Sequence, residues 1–174
     1  FKDEVRLNKM IKECGTRLNT GFVGTPYILF ALSENGYTDT AYSLLLREEY
    51  PSWLYPVTKG ATTIWERWDG IKPDGTMQDK GMNSFNHYAY GCVANWIFGV
   101  MGGISNDSVA YKNSVIAPKP DKRLKNCYCE FETPYGKIAS GWKYENEKII
   151  FDITVPCNTR SKFILPNNEI HNIL

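Results

Sequence analysis

The spacing of apolar residues changes along this chain, and the change divides it in two. From Lys2 to Cys14, Val5, Met10 and Ile11 lie among charged residues, and Gly15 follows as a stop signal. This pattern predicts an amphipathic helix. Thr25-Pro26 reads as an N-cap followed by proline at the first helical position, opening a helix to about Glu34 that Asn35-Gly36 closes. Thr38 reads as the cap of another helix through Ala41, Leu44 and Leu45 to about Glu48, with Pro51 beyond its end. A last long helix is expected from Asn86 or His87 to about Val100.

After residue 107 the period becomes two. Ile149, Phe151, Ile153 and Val155 alternate with Ile150, Asp152 and Thr154, giving a strand with one apolar face. Glu145-Asn146 reads as the hairpin turn between Lys137–Tyr144 and Lys148–Val155. Cys127, Cys129 and Phe131 alternate with Tyr128, Glu130 and Glu132, and Asn158-Thr159 turns the chain into Lys162–Leu165. Pro118, Pro120, Pro134, Pro156 and Pro166 suit turns and sheet edges. The expected fold class is therefore α+β and multidomain, with helices over residues 1–106 and a small antiparallel β-sandwich over 107–174. The few helices enclose no obvious core of their own, so the first part reads as the end of a larger helical domain.

Composition narrows the function classes. The chain has 174 residues and a net charge of +1, without the basic excess of a nucleic-acid surface. The most apolar stretch, about Tyr88 to Ile104, is broken by Gly91, Asn95, Gly99, Gly102 and Gly103, so no membrane span is expected. No leader-like segment is recognisable. Five cysteines at irregular spacing make no disulfide framework. Cys127 and Cys129 should share one strand face as free thiols, and with two histidines in the whole chain no metal site is expected. Aromatic residues reach 14%, which suits stacking on sugar rings and also suits a packed core.

The candidate chemistry lies in the long loop from Thr58 to Asn83 and the segment after it. Loops of this length inside a domain are usually functional or disordered, and this one is rich in Trp, Gly and Asp. Glu66 stands between Trp65 and Trp68, and His87 follows in Asn86-His87-Tyr88. A carboxylate between flat rings, with an imidazole nearby, is what a sugar-cleaving site would use. A salt bridge or helix cap would account for Glu66 equally well from spacing alone, and a cap or packed ring for His87. Asp69, Asp74 and Asp79 read as turn residues, Glu48-Glu49 as a solvated helix end, and Trp96 and Trp142 as core.

Three runs carry a resemblance: Thr20-Gly-Phe-Val-Gly-Thr-Pro-Tyr-Ile-Leu, Gly60-Ala-Thr-Thr-Ile-Trp-Glu-Arg-Trp-Asp-Gly70 and Gly81-Met-Asn-Ser-Phe-Asn-His-Tyr-Ala-Tyr-Gly91. Together they resemble the C-terminal part of bacterial α-L-rhamnosidases of glycoside hydrolase family 78. Residues 133–143 and 151–159 resemble that family's terminal β-sandwich. The resemblance implies a partial (α/α)6 barrel, its last helices only, followed by the β-sandwich. It implies hydrolysis of terminal α-L-rhamnosyl linkages with inversion, no cofactor, and a rhamnose-containing oligosaccharide or glycoside as substrate. Glu66 maps onto the general base and His87 onto a sugar contact; Trp65, Trp68 and Asn86 join them as candidate sugar-binding residues. The family's general acid lies earlier in the barrel, so the remainder of the barrel is an implied partner and the chain alone is expected to be inactive. The family includes intracellular and exported members, which leaves location open.

Two other readings stand beside this one. The β part could be a non-catalytic carbohydrate-binding module, which requires exposed coplanar aromatics on it. The helical part could belong to a different (α/α)6-barrel glycoside hydrolase or phosphorylase. If helices of a barrel are missing, their partners' apolar faces are bare, and self-association is expected.

Overall fold

A computed structural model describes residues 2–173, the side chains of Lys2 and Glu4 excepted. The chain forms two compact units, residues 1–94 and 95–174. In the first unit, helices α1 (Lys2–Glu13), α2 (Thr25–Glu34), α3 (Thr38–Leu45) and α4 (Leu54–Thr58) are joined by loops. Helix α1 ends as its glycine dictates. Gly15 takes a φ of 75°, its N–H bonds the Lys12 carbonyl, and the Thr16 N–H bonds the Ile11 carbonyl. This is a Schellman closure, which satisfies carbonyls that a helix end leaves bare. Of the three apolar residues expected on one face of α1, Ile11 is buried, whereas Val5 and Met10 are exposed and Asn8 is buried in their place. The burial of Asn8 is made tolerable by a 2.8 Å hydrogen bond to Asn8 Oδ1 from the Thr40 hydroxyl of α3.

Helix α2 begins one residue earlier than its cap pattern suggests. Gly24 is the N-cap, and Thr25 is already helical. Its buried hydroxyl donates backwards to the Gly21 carbonyl at 2.8 Å, fastening the preceding turn rather than capping the helix. Helix α3 stops at Leu45, short of Glu48, and Tyr42, Leu44 and Leu32 of α2 are fully buried. The expected long helix to Val100 is three short turns of different winding: a 3₁₀ turn at Ala89–Cys92, an α turn α5 at Val93–Trp96 and a π turn at Ile97–Met101. Gly91, Gly99 and Gly102 remove the side chains that would stiffen a regular helix here.

The second unit is a sandwich of two sheets, built from β1 (Ile104–Asn106), β2 (Asn113–Ile116), β3 (Asn126–Thr133), β4 (Gly136–Glu145), β5 (Lys148–Thr154), β6 (Arg160–Ile164) and β7 (Ile170–Ile173). One sheet has the order β1-β2-β6-β7 and the other β3-β4-β5. All pairs are antiparallel except β2 with β6, where Asn113 stands opposite Arg160 in a parallel pair. Ile104, Ile116, Cys129 and Ile138 form the core between the sheets, with Phe131, Ile153 and Phe163 packed against them. The β5 alternation is as expected, with Ile149, Phe151 and Ile153 turned inward. The β4–β5 turn is Asn146-Glu147, one residue later than expected, and both residues have positive φ as in a type I′ hairpin. Trp96 and Trp142 are core residues, and the Trp142 indole donates to the Met101 carbonyl at 2.8 Å. The thiols of Cys127 and Cys129 share one face, with sulfurs 3.8 Å apart, and all five cysteines are free.

Gly103 sets the approach of β1 to the chain after β2. Its φ is 76°, and a Cβ there would lie 2.1 Å from the Pro118 nitrogen. The variant Gly103→Ala should lose at least ~2 kcal/mol of stability, because both conformation and space forbid the methyl group. Gly21→Ala, whose Cβ meets nothing, should stay within about 0.5 kcal/mol of the parent. Urea unfolding followed by circular dichroism reads both.

Candidate active site

The site lies in the first unit and rests on two pieces of chain held side by side. The Glu66 N–H donates to the Ser84 carbonyl at 2.8 Å, and the His87 N–H donates to the Ile64 carbonyl at 2.8 Å. The Thr63 hydroxyl donates to the Phe85 carbonyl between them. The Ser84 N–H does not bond a backbone carbonyl; it donates to Glu66 Oε2 at 2.8 Å. A charged acceptor takes the place of a neutral one, which shortens and strengthens the bond. Glu66 Oε1 has no hydrogen-bond donor among the described residues, and Glu66 lines an open pocket of about 320 Å³.

Aromatic packing builds the pocket wall. Trp68 stacks on Tyr90 with ring centroids 3.7 Å apart and stands edge-on to Trp53 at 5.5 Å. The Trp68 indole donates to the Thr20 carbonyl at 3.2 Å, and the Trp53 indole to the Tyr90 carbonyl at 2.9 Å. Each ring is thus held by stacking and by a directed hydrogen bond. Phe22, Tyr50 and Met82 complete the apolar lining.

The other predicted residues fall into distinct places. His87 stacks between Phe22 and Tyr88, each 5.1 Å away and tilted by 12°. Its Nδ1 accepts the Ala89 N–H at 3.2 Å, which puts the proton of the neutral ring on Nε2. His87 therefore takes the first N–H of the 3₁₀ turn, whose N-cap is Tyr88, and reaches the pocket lining through Phe22. Trp65 is buried, edge-on to Phe85 at 4.9 Å and close against Gly70, outside the lining of the Glu66 pocket. Asn86 is exposed. Its backbone N–H donates to the Ser84 hydroxyl, which donates in turn to the Asn86 carbonyl. Glu66 and Trp68 thus meet in one pocket, and His87 joins them at one remove.

Reading along the chain did not find Phe22, Tyr50, Arg67, Met82 or Tyr90 as lining, because a contact set by loop folding leaves no periodic signal. Nor is Asp69 a simple turn residue. It accepts from Arg67 Nε at 3.1 Å and from the Gln78 amide at 2.6 Å, and lines the same pocket. Partial burial opposes its ionisation, but the hydrogen bonds from Arg67 and Gln78 outweigh that and hold its carboxyl below the ordinary value. Asp74 and Asp79 do serve turns, accepting the N–H groups of Thr76 and Gly81 at 2.9 Å. Burial raises the Tyr50 and Tyr90 phenols, so both stay neutral in the pocket wall. Among the described residues no group of three or more His, Cys, Asp or Glu side chains could hold a metal ion, and no helix is long and apolar enough to cross a membrane.

A helical unit with a carboxylate in an aromatic pocket, followed by a β-sandwich, describes a class of glycoside hydrolases. Comparison with known proteins narrows the class. Residues 2–101 match the bacterial alpha-L-rhamnosidase 6 hairpin glycosidase domain, and residues 103–173 match the bacterial alpha-L-rhamnosidase C-terminal domain. The chain belongs to the bacterial α-L-rhamnosidase family, glycoside hydrolase family 78, and has its fold: part of a six-hairpin (α/α)6 barrel followed by a β-sandwich. It is 40% identical over 161 residues to an alpha-L-rhamnosidase of Streptomyces avermitilis, covering 92% of this chain and 16% of that protein. It is 39% identical over 168 residues to one from Formosa agariphila, covering 97% of this chain and 18% of that protein. The crystal structure of the Streptomyces avermitilis enzyme complexed with L-rhamnose superposes with a TM-score of 0.90 at 40% identity, over 94% of this chain and 16% of that one. The native enzyme from Aspergillus terreus gives 0.91 at 37%, over 97% and 20%. The chain thus spans 16–20% of the length of these relatives.

The Asp69 cluster has a consequence for acid stability. Its folded-state pKa lies below the ordinary 3.8, so its contribution is present above that value and is lost as pH falls through the folded value. From about pH 5 down to about pH 2, the urea midpoint of the wild type should fall more steeply than that of Asp69→Asn. Parallel curves would remove the cluster from the acid response.

Proposed function

We propose that this chain supplies the base side of the active site of an inverting α-L-rhamnosidase. In this reading residues 1–106 are the C-terminal part of the (α/α)6-barrel catalytic domain and 107–174 its terminal β-sandwich domain, to which β1 adds an edge from just before the boundary. The observation that carries the proposal is the carboxylate of Glu66. One oxygen is anchored on the Ser84 N–H, and the other is open to the pocket beside the Trp68–Tyr90 stack.

The chemistry follows from that arrangement. An anchored carboxylate has its second oxygen aimed in one direction, which is what a general base needs to draw a proton from a water. The water attacks the anomeric carbon of a terminal α-L-rhamnosyl unit from the face opposite the leaving group. The leaving oxygen takes a proton from a second carboxyl, set ~6.5–9.5 Å from the first in inverting enzymes. Asp69 is unsuited to that role: Arg67 and Gln78 favour its ionised form, and an acid must hold its proton. In this reading the acid comes from the remainder of the barrel, as the family resemblance implies. Trp68 offers an apolar wall to the C6 methyl group of rhamnose; His87 and the exposed Asn86, which do not line the Glu66 pocket in this chain, meet sugar hydroxyls once the barrel is complete, and buried Trp65 packs against Phe85. No cofactor takes part.

The binding-module reading is less favoured. As the main role of the chain it needs a platform of exposed coplanar aromatics on the β unit; Trp142, the one tryptophan of the β-sandwich strands, is only 2% exposed, which leaves single tyrosines such as Tyr128 and Tyr135, while both units match domains of a rhamnosidase.

In the longer enzyme containing this chain, Glu66→Gln should lower kcat about 10²–10⁴-fold on an aryl α-L-rhamnoside, with KM little changed. Azide should restore turnover in Glu66→Ala and yield the β-configured rhamnosyl azide. Near-normal turnover in Glu66→Gln would remove the assignment. A second expectation concerns the isolated chain. Val23, Tyr27 and Tyr88 are 85%, 70% and 88% exposed, and large bare apolar groups drive association. Sedimentation velocity should show species larger than the monomer and no activity on the same rhamnoside. A monodisperse monomer would count against missing barrel partners.

A further inference from the structure

The β-sandwich holds a second polar cleft, at the ends where its two parallel strands begin. Strands β2 and β6 start side by side, Asn113 opposite Arg160, and each follows a left-handed turn. Ala110 and Tyr111 before β2 have φ of 57° and 63°, and Asn158 before β6 has 59°. Asn158 tolerates this conformation, whereas Ala110 and Tyr111 hold it at a cost. Between the two turns lies a pocket of about 590 Å³ lined by Lys112, Asn113, Asn158, Thr159 and Arg160.

The Lys112 ammonium bonds the Asn158 carbonyl and sits 5.0 Å over the Tyr135 ring, with no carboxylate partner among the described residues. Arg160 has no carboxylate partner among the described residues. An adjoining pocket of about 410 Å³ shares Asn113 and Arg160 and adds Lys162, whose ion pair with Asp107 is long, at 3.9 Å. An ammonium fixed on a carbonyl, an exposed guanidinium and side-chain amides that donate and accept form a set of groups suited to a sugar bearing an anionic group. The guanidinium and ammonium take the carboxylate, and the amides take hydroxyls.

We infer that this cleft is an auxiliary binding site for acidic saccharides, separate in chemistry from the Glu66 pocket. Nothing in it is placed to break a bond, so its role is retention of a carboxylate-bearing glycan. The inference does not depend on the assignment of Glu66.

Calorimetric titration of the 174-residue chain with trigalacturonate tests it. Binding is expected, weakening as sodium chloride rises from about 20 to about 300 mM. Methyl-esterified trigalacturonate, which lacks the charge, should not bind. Lys112→Met combined with Arg160→Gln should lower affinity about tenfold or more, and Glu66→Gln should leave it unchanged. Because the double variant could disturb the turns, amide NMR of the unaltered chain is a second readout. The side-chain signals of Asn113 and Asn158 should shift with trigalacturonate and not with its methyl ester. Equal binding of the ester, full binding by a folded double variant, displacement by equimolar inorganic sulfate, or tighter binding of duplex DNA at the same salt would each overturn the proposal.

Discussion

Glu66 and Ser84 hold each other twice, once backbone to backbone and once through the Glu66 carboxylate. The loop around them is ordered by hydrogen bonds rather than by regular ladders. From Gly60 to Tyr88 it contains no strand, only the isolated bridge between Ile71 and Met77. The paired bonds at Ile64–His87 and Glu66–Ser84 therefore tie the two ends of this loop together. Around this tie Trp68 reaches Thr20 and Tyr90, and His87 reaches Phe22. A carboxylate that serves both as a fastening for the backbone and as a wall of the pocket links the order of the loop to the shape of the site.

Much of this was legible in the sequence where chemistry is local. Gly15 and Gly36 mark helix ends because only a residue without a side chain adopts that backbone cheaply. The β5 alternation and the face shared by Cys127 and Cys129 follow from the two-residue repeat of a strand. Glu66, His87 and Trp68 stand out because their residue types and spacing are unusual, and Asp74 and Asp79 because turns favour them. What was not legible depends on distant partners. Asn8 is buried because Thr40 bonds it, and Val5 is exposed although apolar. Strands β1, β2 and β7 have three or four residues each, too few to show a period. Tyr90 enters the site wall through Trp53 and Trp68, which lie 37 and 22 residues away in sequence.

The two units are ordered by different means. The β-sandwich relies on regular ladders and a small apolar core, so its pattern is written along each strand. The helical unit has short helices and a long loop, and depends on directed hydrogen bonds to ring nitrogens and carbonyl oxygens. Such bonds specify position more sharply than apolar contact does, because they depend on direction as well as distance.

The perpendicular pairing of Trp53 and Trp68, 5.5 Å apart at 88°, reaches beyond packing. Two indoles at that distance share their electronic excitation, and Tyr90 lies 3.7 Å from one of them as an energy donor. The chain thereby contains an intrinsic optical gauge of its own loop. When the loop carrying Trp68 leaves Trp53, the near-ultraviolet circular dichroism that these rings owe to their fixed surroundings falls, while the far-ultraviolet signal of the helices remains. Site order and global order become separable in a single spectrum, without a label and without substrate.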